Sequence, residues 1–178
     1  MAKKRAPAPS PELVDIVDAN DRPLLVMPLD EAHRQGLRHR LIVVLVFNDQ
    51  GKLYLQKRSM RKSLYPGRFD LSVTGHVRAG EARADAAARE LEEELGLRAK
   101  TLTMVDAVPA SPETGYEFVT LFSAGRLSQT PRPNPEEVDG GMFVDAAELA
   151  ALVRDYRDQL TPAIVRFFER KSLFPLPL

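Results

Sequence analysis

The segment Gly75–Leu97, GHVRAGEARADAAARELEEELGL, constrains this chain more than any other stretch. Its centre, Glu81 to Leu95, holds neither proline nor glycine and reads as a helix. Gly96 stands where a helix commonly ends on a left-handed residue. Ala84, Ala88, Leu91 and Leu95 recur at spacings of 4, 3 and 4, which predicts one apolar stripe facing a core. Glu90, Glu93 and Glu94 recur at 3 and 4 and share the adjoining face. Carboxylates crowded on about one turn repel each other unless the face is solvated or holds cations. Hard divalent ions such as Mg²⁺ take oxygen ligands and bridge protein carboxylates to phosphates. Arg89 beside this face can orient a carboxylate through a forked contact.

The rest of the pattern alternates short strands with helices. Leu13–Val17 and Pro23–Met27 read as strands around the turn 19–22, and Asp30–Gln35 as a short helix ended by Gly36. Leu41–Phe47 is an unbroken apolar run, rich in β-branched residues, that predicts a strand buried on both faces. Asn48–Gly51 is a turn, with Lys52–Lys57 as the expected hairpin partner of that strand. Further strands are expected at Leu71–Thr74, Thr101–Val108, Phe118–Phe122 and Met142–Val144. Ser128–Val138, with three prolines, is a loop. Asp145 with Glu148 forms a capping-box signature, and Thr161-Pro162 opens a last helix through Arg170, Thr as N-cap. This is an α/β pattern in one domain, residues 11–178, after a disordered tail at 1–10.

Composition closes several alternatives. At 178 residues with 44% hydrophobic and 28% charged, the chain can bury a core without staples. Lys plus Arg and Asp plus Glu each total 25, which argues against a partner that is a nucleic-acid polymer. The absence of cysteine excludes a disulfide framework, a zinc–thiolate site and a thiol nucleophile. The longest apolar run has seven residues, against roughly 20 for a bilayer span, so no membrane partner is expected. The cationic start has no apolar stretch behind it, and a cytoplasmic location is the expectation.

A solvated acidic face would account for Glu92 and Glu93 alone. The whole segment is more specific. Gly75, five residues, Glu81, seven residues, Arg89-Glu90-Leu91, one residue, Glu93-Glu94, one residue and Gly96-Leu97 give nine specified positions over 23 residues. This run matches the Nudix box at every fixed place, and the chain resembles Nudix hydrolases. The resemblance implies an α/β/α sandwich with a mixed sheet and the box as loop–helix–loop. It implies cleavage of a diphosphate linkage with Mg²⁺ or Mn²⁺ as cofactor. Carried onto this sequence, Glu90 and Glu94 are the main metal ligands and Glu93 a further ligand or helper. Glu81 supports a metal-bound water, and the carbonyl of Thr74 or Gly75 adds a ligand. Glu93, Glu90 and Arg89 form the catalytic set, with Arg89 orienting Glu90. Many relatives dimerise, which leaves a homodimer open.

The likeness extends beyond the box. His33, His39-Arg40, the apolar strand, Asn48…Gly51, Lys57-Arg58 and Lys62…Tyr65-Pro66-Gly67-Arg68-Phe69-Asp70…Gly75-His76 resemble the isopentenyl-diphosphate isomerase branch. That branch implies a second metal site on His33, His39, His76 and Glu117; the plain alternative is ordinary strand and surface residues. Two departures speak against isomerisation. The branch's catalytic cysteine is Thr74 here, and a hydroxyl is a far weaker acid than a thiol. The isomerases typically lack the glutamate of the Arg-Glu pair, and Glu90 is present. The expectation is a hydrolase of a nucleotide or related small diphosphate, with the isomerase and a non-catalytic diphosphate sensor as alternatives.

Substrate-reading residues are less sharply marked. Arg58, Lys62 and Arg68, with Lys57 and Arg61, crowd the loop before the box and would suit phosphates. Tyr65, Phe69 and Tyr116 could stack on a base, although such aromatics more often pack. The loops Ser111–Tyr116 and Pro131–Glu137 are candidate specificity elements, with Glu136 and Glu137 candidates for a late ligand or base.

Overall fold

The computed structural model describes residues 10–174; the tail expected at 1–10 lies, but for Ser10, outside them. A two-stranded hairpin comes first, β1 (Leu13–Val17) against β2 (Pro23–Pro28), followed by α1 (Leu29–Gln35). The main sheet holds β3 (His39–Phe47), β4 (Leu53–Arg58), β5 (Phe69–Asp70), β6 (Val73–His76), β7 (Thr103–Val108), β8 (Glu117–Arg126) and β9 (Val138–Val144). β3 and β8 run parallel and the other pairings in the sheet are antiparallel, so the sheet is mixed. The helix of the acidic segment is α2 (Arg83–Leu95); α3 (Ala146–Asp155) and α4 (Pro162–Glu169) follow later.

The apolar run of β3 explains the layering. Successive strand residues point to opposite faces. Ile42, Val44 and Val46 enter a core with Ala86, Ala87, Leu91 and Leu95 of α2. Val43, Leu45 and Phe47 enter the other core with Leu149 and Val153 of α3 and Ile164, Val165 and Phe167 of α4. The result is helix, mixed sheet, helix, an α/β/α sandwich with every β3 residue from Ile42 to Phe47 buried.

Four local expectations are corrected. The buried face of α2 is Ala86, Ala87, Leu91 and Leu95 together with Glu90 and Glu94; Ala84 and Ala88 are exposed. The helix has turned its carboxylates inward, because Glu90 and Glu94 lie against β6 rather than in water. β3 and β4 meet only at Phe47–Leu53, and beyond the turn β3 takes β6 as neighbour while β4 pairs with β9. The strand expected at Leu71–Thr74 is two short strands, β5 and β6, interrupted at Leu71–Ser72, where the Ser72 hydroxyl donates to Tyr54 O at 2.6 Å. Thr161 begins α4 without capping it. Its hydroxyl donates instead to Asp70 Oδ1 at 2.7 Å, since a buried carboxylate is the stronger acceptor. The Asp145–Glu148 capping box forms as the sequence indicates.

Candidate active site

Three strand ends and two helices converge at one edge of the sheet. In the parallel pair, the first residues of β3 and β8 stand opposite each other, His39 beside Glu117. β6 ends antiparallel to β3, with Gly75 beside Ile42 and His76 beside Leu41. α2 lies over β6, and α1 delivers His33 from its last turn. Between these ends opens a cleft of about 580 Å³, lined at one end by Glu90, Glu93 and Glu94 and at another by His33, His76 and Glu117.

The acidic end is organised by Arg89. Its Nε and one Nη donate to the two oxygens of Glu81 at 2.8 and 2.9 Å. The other Nη donates to Glu90 Oε1 at 2.5 Å and Glu93 Oε2 at 3.2 Å, and the first Nη also reaches His76 O at 3.1 Å. One planar fork therefore ties the box loop, the box helix and β6 together. These bonds hold the guanidinium above its already high ordinary pKa and the Glu81 carboxyl below its own. Glu81 thus spends both oxygens on Arg89, and one of them also accepts from Arg78 N at 2.9 Å.

Glu90 and Glu94 are buried, while Glu93 is exposed at the rim. Burial pushes Glu90 up to about 7 against the pull of Arg89, and pushes Glu94 up to about 8 with the neighbouring Glu90 charge adding to it. Glu94 has one oxygen engaged, accepting from Gln56 Nε2 at 3.0 Å and Thr74 N at 3.4 Å. A pair of adjacent carboxylates held out of water is what a divalent cation would stabilise in the charged form. Gly75 permits the arrangement: a β-carbon there would stand 2.6 Å from Glu90 Oε1 and nearer still to its Cγ and Cδ.

The histidine end is equally close-knit. His33, His39, His76 and Glu117 each offer one ligand atom, and these atoms lie within 4.8 Å of one another. His39 Nδ1 donates to Leu37 O at 2.8 Å, so in the neutral ring Nε2 carries a lone pair. That Nε2 faces His33 Nε2 at 3.1 Å and Glu117 Oε1 at 3.4 Å, and His76 Nε2 reaches the same Glu117 oxygen at 3.0 Å. The three imidazoles hold the largely desolvated Glu117 carboxyl well below the usual range, although its desolvation opposes them.

The cations before the box are mostly committed. Arg58 and Lys62 line the cleft. Arg58 bonds Asp70 Oδ2 at 3.0 Å and Leu64 O at 3.0 Å, and Lys62 pairs with Glu137. Arg61 pairs with Glu136 at 2.5 Å in solvent. Arg68 is not among the cleft residues; it bonds Leu160 O at 3.4 Å and lies over the Tyr65 ring. Of the three candidate aromatics, Tyr65 lines the cleft, Phe69 packs into the core beside α4, and the Tyr116 ring lies against Gly36.

Sequence reasoning missed Gln56, Asp70 and Glu12. Gln56 had a signal: it is an amide on a strand whose preceding residues, Leu53 to Leu55, are apolar and buried. Asp70 stands in the run that resembles the isomerase branch, but nothing in the sequence marked its role, since Arg58 and Thr161 reach it from 12 and 91 residues away. Glu12 lines the cleft from the segment before β1, 3.8 Å from Arg78, which is itself 3.6 Å from Glu93.

Residues 37–164 match the family described as NUDIX domain. An uncharacterised Nudix hydrolase of Pseudomonas aeruginosa is 48% identical over 134 residues, 75% of this chain and 78% of that protein. An isopentenyl-diphosphate Delta-isomerase of Streptomyces griseus is 39% identical over 145 residues, 78% of this chain and 73% of that protein. A crystal structure from Deinococcus radiodurans superposes with a TM-score of 0.76 at 27% identity, over 90% of this chain and 99% of that one. A MutT protein from Methanosarcina mazei shares the fold, with a TM-score of 0.63 at 22% identity, over 73% of this chain and 89% of that one.

Proposed function

The chain belongs to the Nudix family, and from that premise we propose that it hydrolyses a diphosphate linkage in a nucleotide or related small diphosphate, using Mg²⁺ or Mn²⁺. The observation that carries this reading is the pair Glu90 and Glu94, buried side by side at the end of an open cleft. Their oxygens are hard donors, and two adjacent carboxylates out of water are a favourable ligand pair for a divalent ion. Glu90, Glu94 and the Gly75 carbonyl would hold the metal. A bound divalent ion supplies charge neutralisation on the phosphate oxygens and lowers the pKa of a water.

The remaining work falls to this chain's residues. Arg89 keeps Glu90 turned toward Gly75. Gln56 and the Thr74 amide hold one Glu94 oxygen and leave the other free for the cleft. Glu93, exposed beside them, accepts the proton of the water that attacks phosphorus. The new P–O bond forms as the bridging P–O bond breaks, and the leaving phosphate takes the bond's electrons. Lys62 meets the substrate phosphates at the cleft wall, exchanging its contact with Glu137 for them. The partner is a small diphosphate; a homodimer and a cytoplasmic setting belong to the same reading.

A second metal belongs on His33, His39, His76 and Glu117. Three imidazole nitrogens and one carboxylate oxygen suit a transition metal better than Mg²⁺. This cluster, with the isomerase name of the Streptomyces griseus relative, favours isopentenyl-diphosphate isomerisation as the second reading. Thr74 opposes it, because its hydroxyl cannot take the thiol's part as a proton donor.

A product screen tests these readings. Purified protein with Mg²⁺ or Mn²⁺ meets nucleoside di- and triphosphates, dinucleoside polyphosphates, nucleotide sugars and isopentenyl diphosphate, with Glu94→Gln as control. The expected result is metal-dependent phosphate or pyrophosphate release that the control lacks. Dimethylallyl diphosphate as the product would install the isomerase. Thermal stabilisation by a panel member without any turnover would turn the site into a diphosphate sensor.

A further inference from the structure

Among the described residues, the lysine and arginine side chains that line the cleft are Arg58, Lys62, Arg78 and Arg166. The first three face carboxylates. Arg58 is held by Asp70 and Lys62 by Glu137, and Arg78 stands 3.8 Å from Glu12 and 3.6 Å from Glu93. Arg166 has no carboxylate partner among the described residues. Its Nη2 donates to the backbone carbonyl of Glu113, which orients the guanidinium without neutralising it. A half-buried guanidinium with donors to spare at a cleft wall is a preformed seat for an oxyanion, which it can grip in a forked contact.

The fold sets this seat apart from the carboxylate pair. Pro162, Ala163, Arg166 and Phe167 recur at spacings of 1, 3 and 1 and present one face of α4 to the cleft. α4 packs on the face of the sheet opposite α2, which carries Glu90 and Glu94. The edge of the sheet lies between them. There, His39 with Glu117 and Leu41 with Val119 are successive pairs on one face of β3 and β8, roughly 7 Å apart along the strands. Leu41 and Val119 floor the cleft, and Ala163 and Phe167 of α4 share their core. The cleft thus offers hard carboxylates on the α2 side, then the imidazoles, then an apolar floor, and a guanidinium on the α4 side.

We propose that Arg166 binds a second anionic group of the substrate, a carboxylate or a phosphate separated from the diphosphate by an apolar stretch. This rests on the hydrolase reading for the seat of the diphosphate, and it narrows the substrate class to diphosphates that carry an acid at their far end. A neutral far end would take water from the guanidinium and return no charge-assisted bond, so Arg166 selects against it.

Calorimetric titration tests this without relying on turnover. The probes are methylenediphosphonate and its monoesters with alkyl chains of increasing length that end in a methyl, a carboxylate or a phosphate group, each with Mg²⁺. At the length that spans the apolar floor, an acid-ended ester should bind the wild type about tenfold more tightly than its methyl-ended counterpart, the weight of one charge-assisted hydrogen bond. Arg166→Gln should erase that preference and bind methylenediphosphonate and the methyl-ended esters as the wild type does. Arg166→Lys, which keeps the charge and loses the fork, should retain part of the preference. Preference for the carboxylate or for the phosphate identifies the substrate's acid, and either supports the proposal. Methylenediphosphonate bound with no end-group preference at any length, or a preference undiminished in Arg166→Gln, overturns it. Equal weakening of every probe in Arg166→Gln, with a lower melting temperature, would make Arg166 a strut for Glu113 and overturn it as well. A preference that Arg166→Gln erases, in a protein that turns over no diphosphate in the product screen, would remove the hydrolase reading and leave the Arg166 site standing.

Discussion

Gly75 and Glu90 are in contact so close that no side chain fits between them: a β-carbon on Gly75 would stand 2.6 Å from Glu90 Oε1. The opposing element is a buried helix carrying Ala86, Ala87 and Leu91, which cannot withdraw without opening a core. Gly75→Ala should therefore turn the Glu90 side chain away from the cleft. We expect at least ~100-fold loss of turnover, the scale of an ångström's misplacement at a reacting centre. Steady-state kinetics check this, and Gly75→Ala combined with Glu90→Gln should be little worse than either alone, because both disable one carboxylate.

Arg89 makes a second prediction. Its fork satisfies Glu81, Glu90, Glu93 and the His76 carbonyl together. A lysine carries the charge without the planar geometry. Arg89→Lys should lose ~10-fold or more in kcat with KM little changed, an expectation set by the weight of orienting contacts in catalysis. Full activity in Arg89→Lys would reduce the fork to a charge effect.

The elements legible in the sequence were those specified by local chemistry. Gly96, the Asp145–Glu148 box and the β-branched run of β3 need only near neighbours, and each appears where its residues indicate. The inward turn of Glu90 and Glu94 was not legible from the helix, because apolar periodicity assigns carboxylates to water and Ala84 and Ala88 to the core. Only the strand carrying Gly75 makes room for them. The same limit explains Arg58: as sequence it is one more cation in a basic loop, and in the fold it is held by Asp70. The cluster of His33, His39, His76 and Glu117 was legible through family resemblance alone, since its members are up to 84 residues apart.

Stability should depend on pH in a direction the carboxylates dictate. Glu90 and Glu94 are raised from an ordinary 4.5 to about 7 and about 8 by burial. Between those values the folded protein holds more protons than the unfolded chain, so stability falls as pH rises from about 4.5 to 8. Glu117 has the opposite sign: its carboxyl is depressed, and the stability it contributes is present above about 4.5 and lost as pH falls below that. Melting curves in EDTA should show the decline across the first window. Excess Mg²⁺ should flatten it by favouring the charged pair, and Glu94→Gln should flatten it without metal. A melting temperature that rises from pH 5 to 8 in EDTA would contradict the burial of the pair.

Asp70 joins the cleft wall to the core. It accepts from Arg58 at 3.0 Å and Thr161 at 2.7 Å, and all three side chains are largely out of water. Asp70→Ala strands a buried guanidinium and should cost ~3–5 kcal/mol. Thr161→Val removes one of two donors to Asp70 Oδ1, the other being Leu71 N, and should cost ~1 kcal/mol. Urea unfolding separates the two values, and a loss below 1 kcal/mol for Asp70→Ala would mean that Arg58 finds water instead.

The histidine cluster makes the sharpest distinction between two kinds of site in one cleft. In the metal-free state its contacts can be satisfied by protons: His33 donates to His39 Nε2 and His76 donates to Glu117. Loading a metal requires all three Nε2 atoms to present lone pairs, which His39 already does through its bond to Leu37 O. For such a metal His39 would be the preorganised ligand, since it is fully buried and its Nδ1 is held by Leu37 O. EDTA-treated protein titrated with Zn²⁺ or Mn²⁺ should bind one equivalent that Mg²⁺ does not displace. His39→Gln should abolish that equivalent, while Glu94→Gln should retain it, because the carboxylate pair and the imidazoles draw on separate ligand sets. Loss of the equivalent in Glu94→Gln rather than in His39→Gln would place all metal binding at the acidic end and return the three histidines to hydrogen bonding alone.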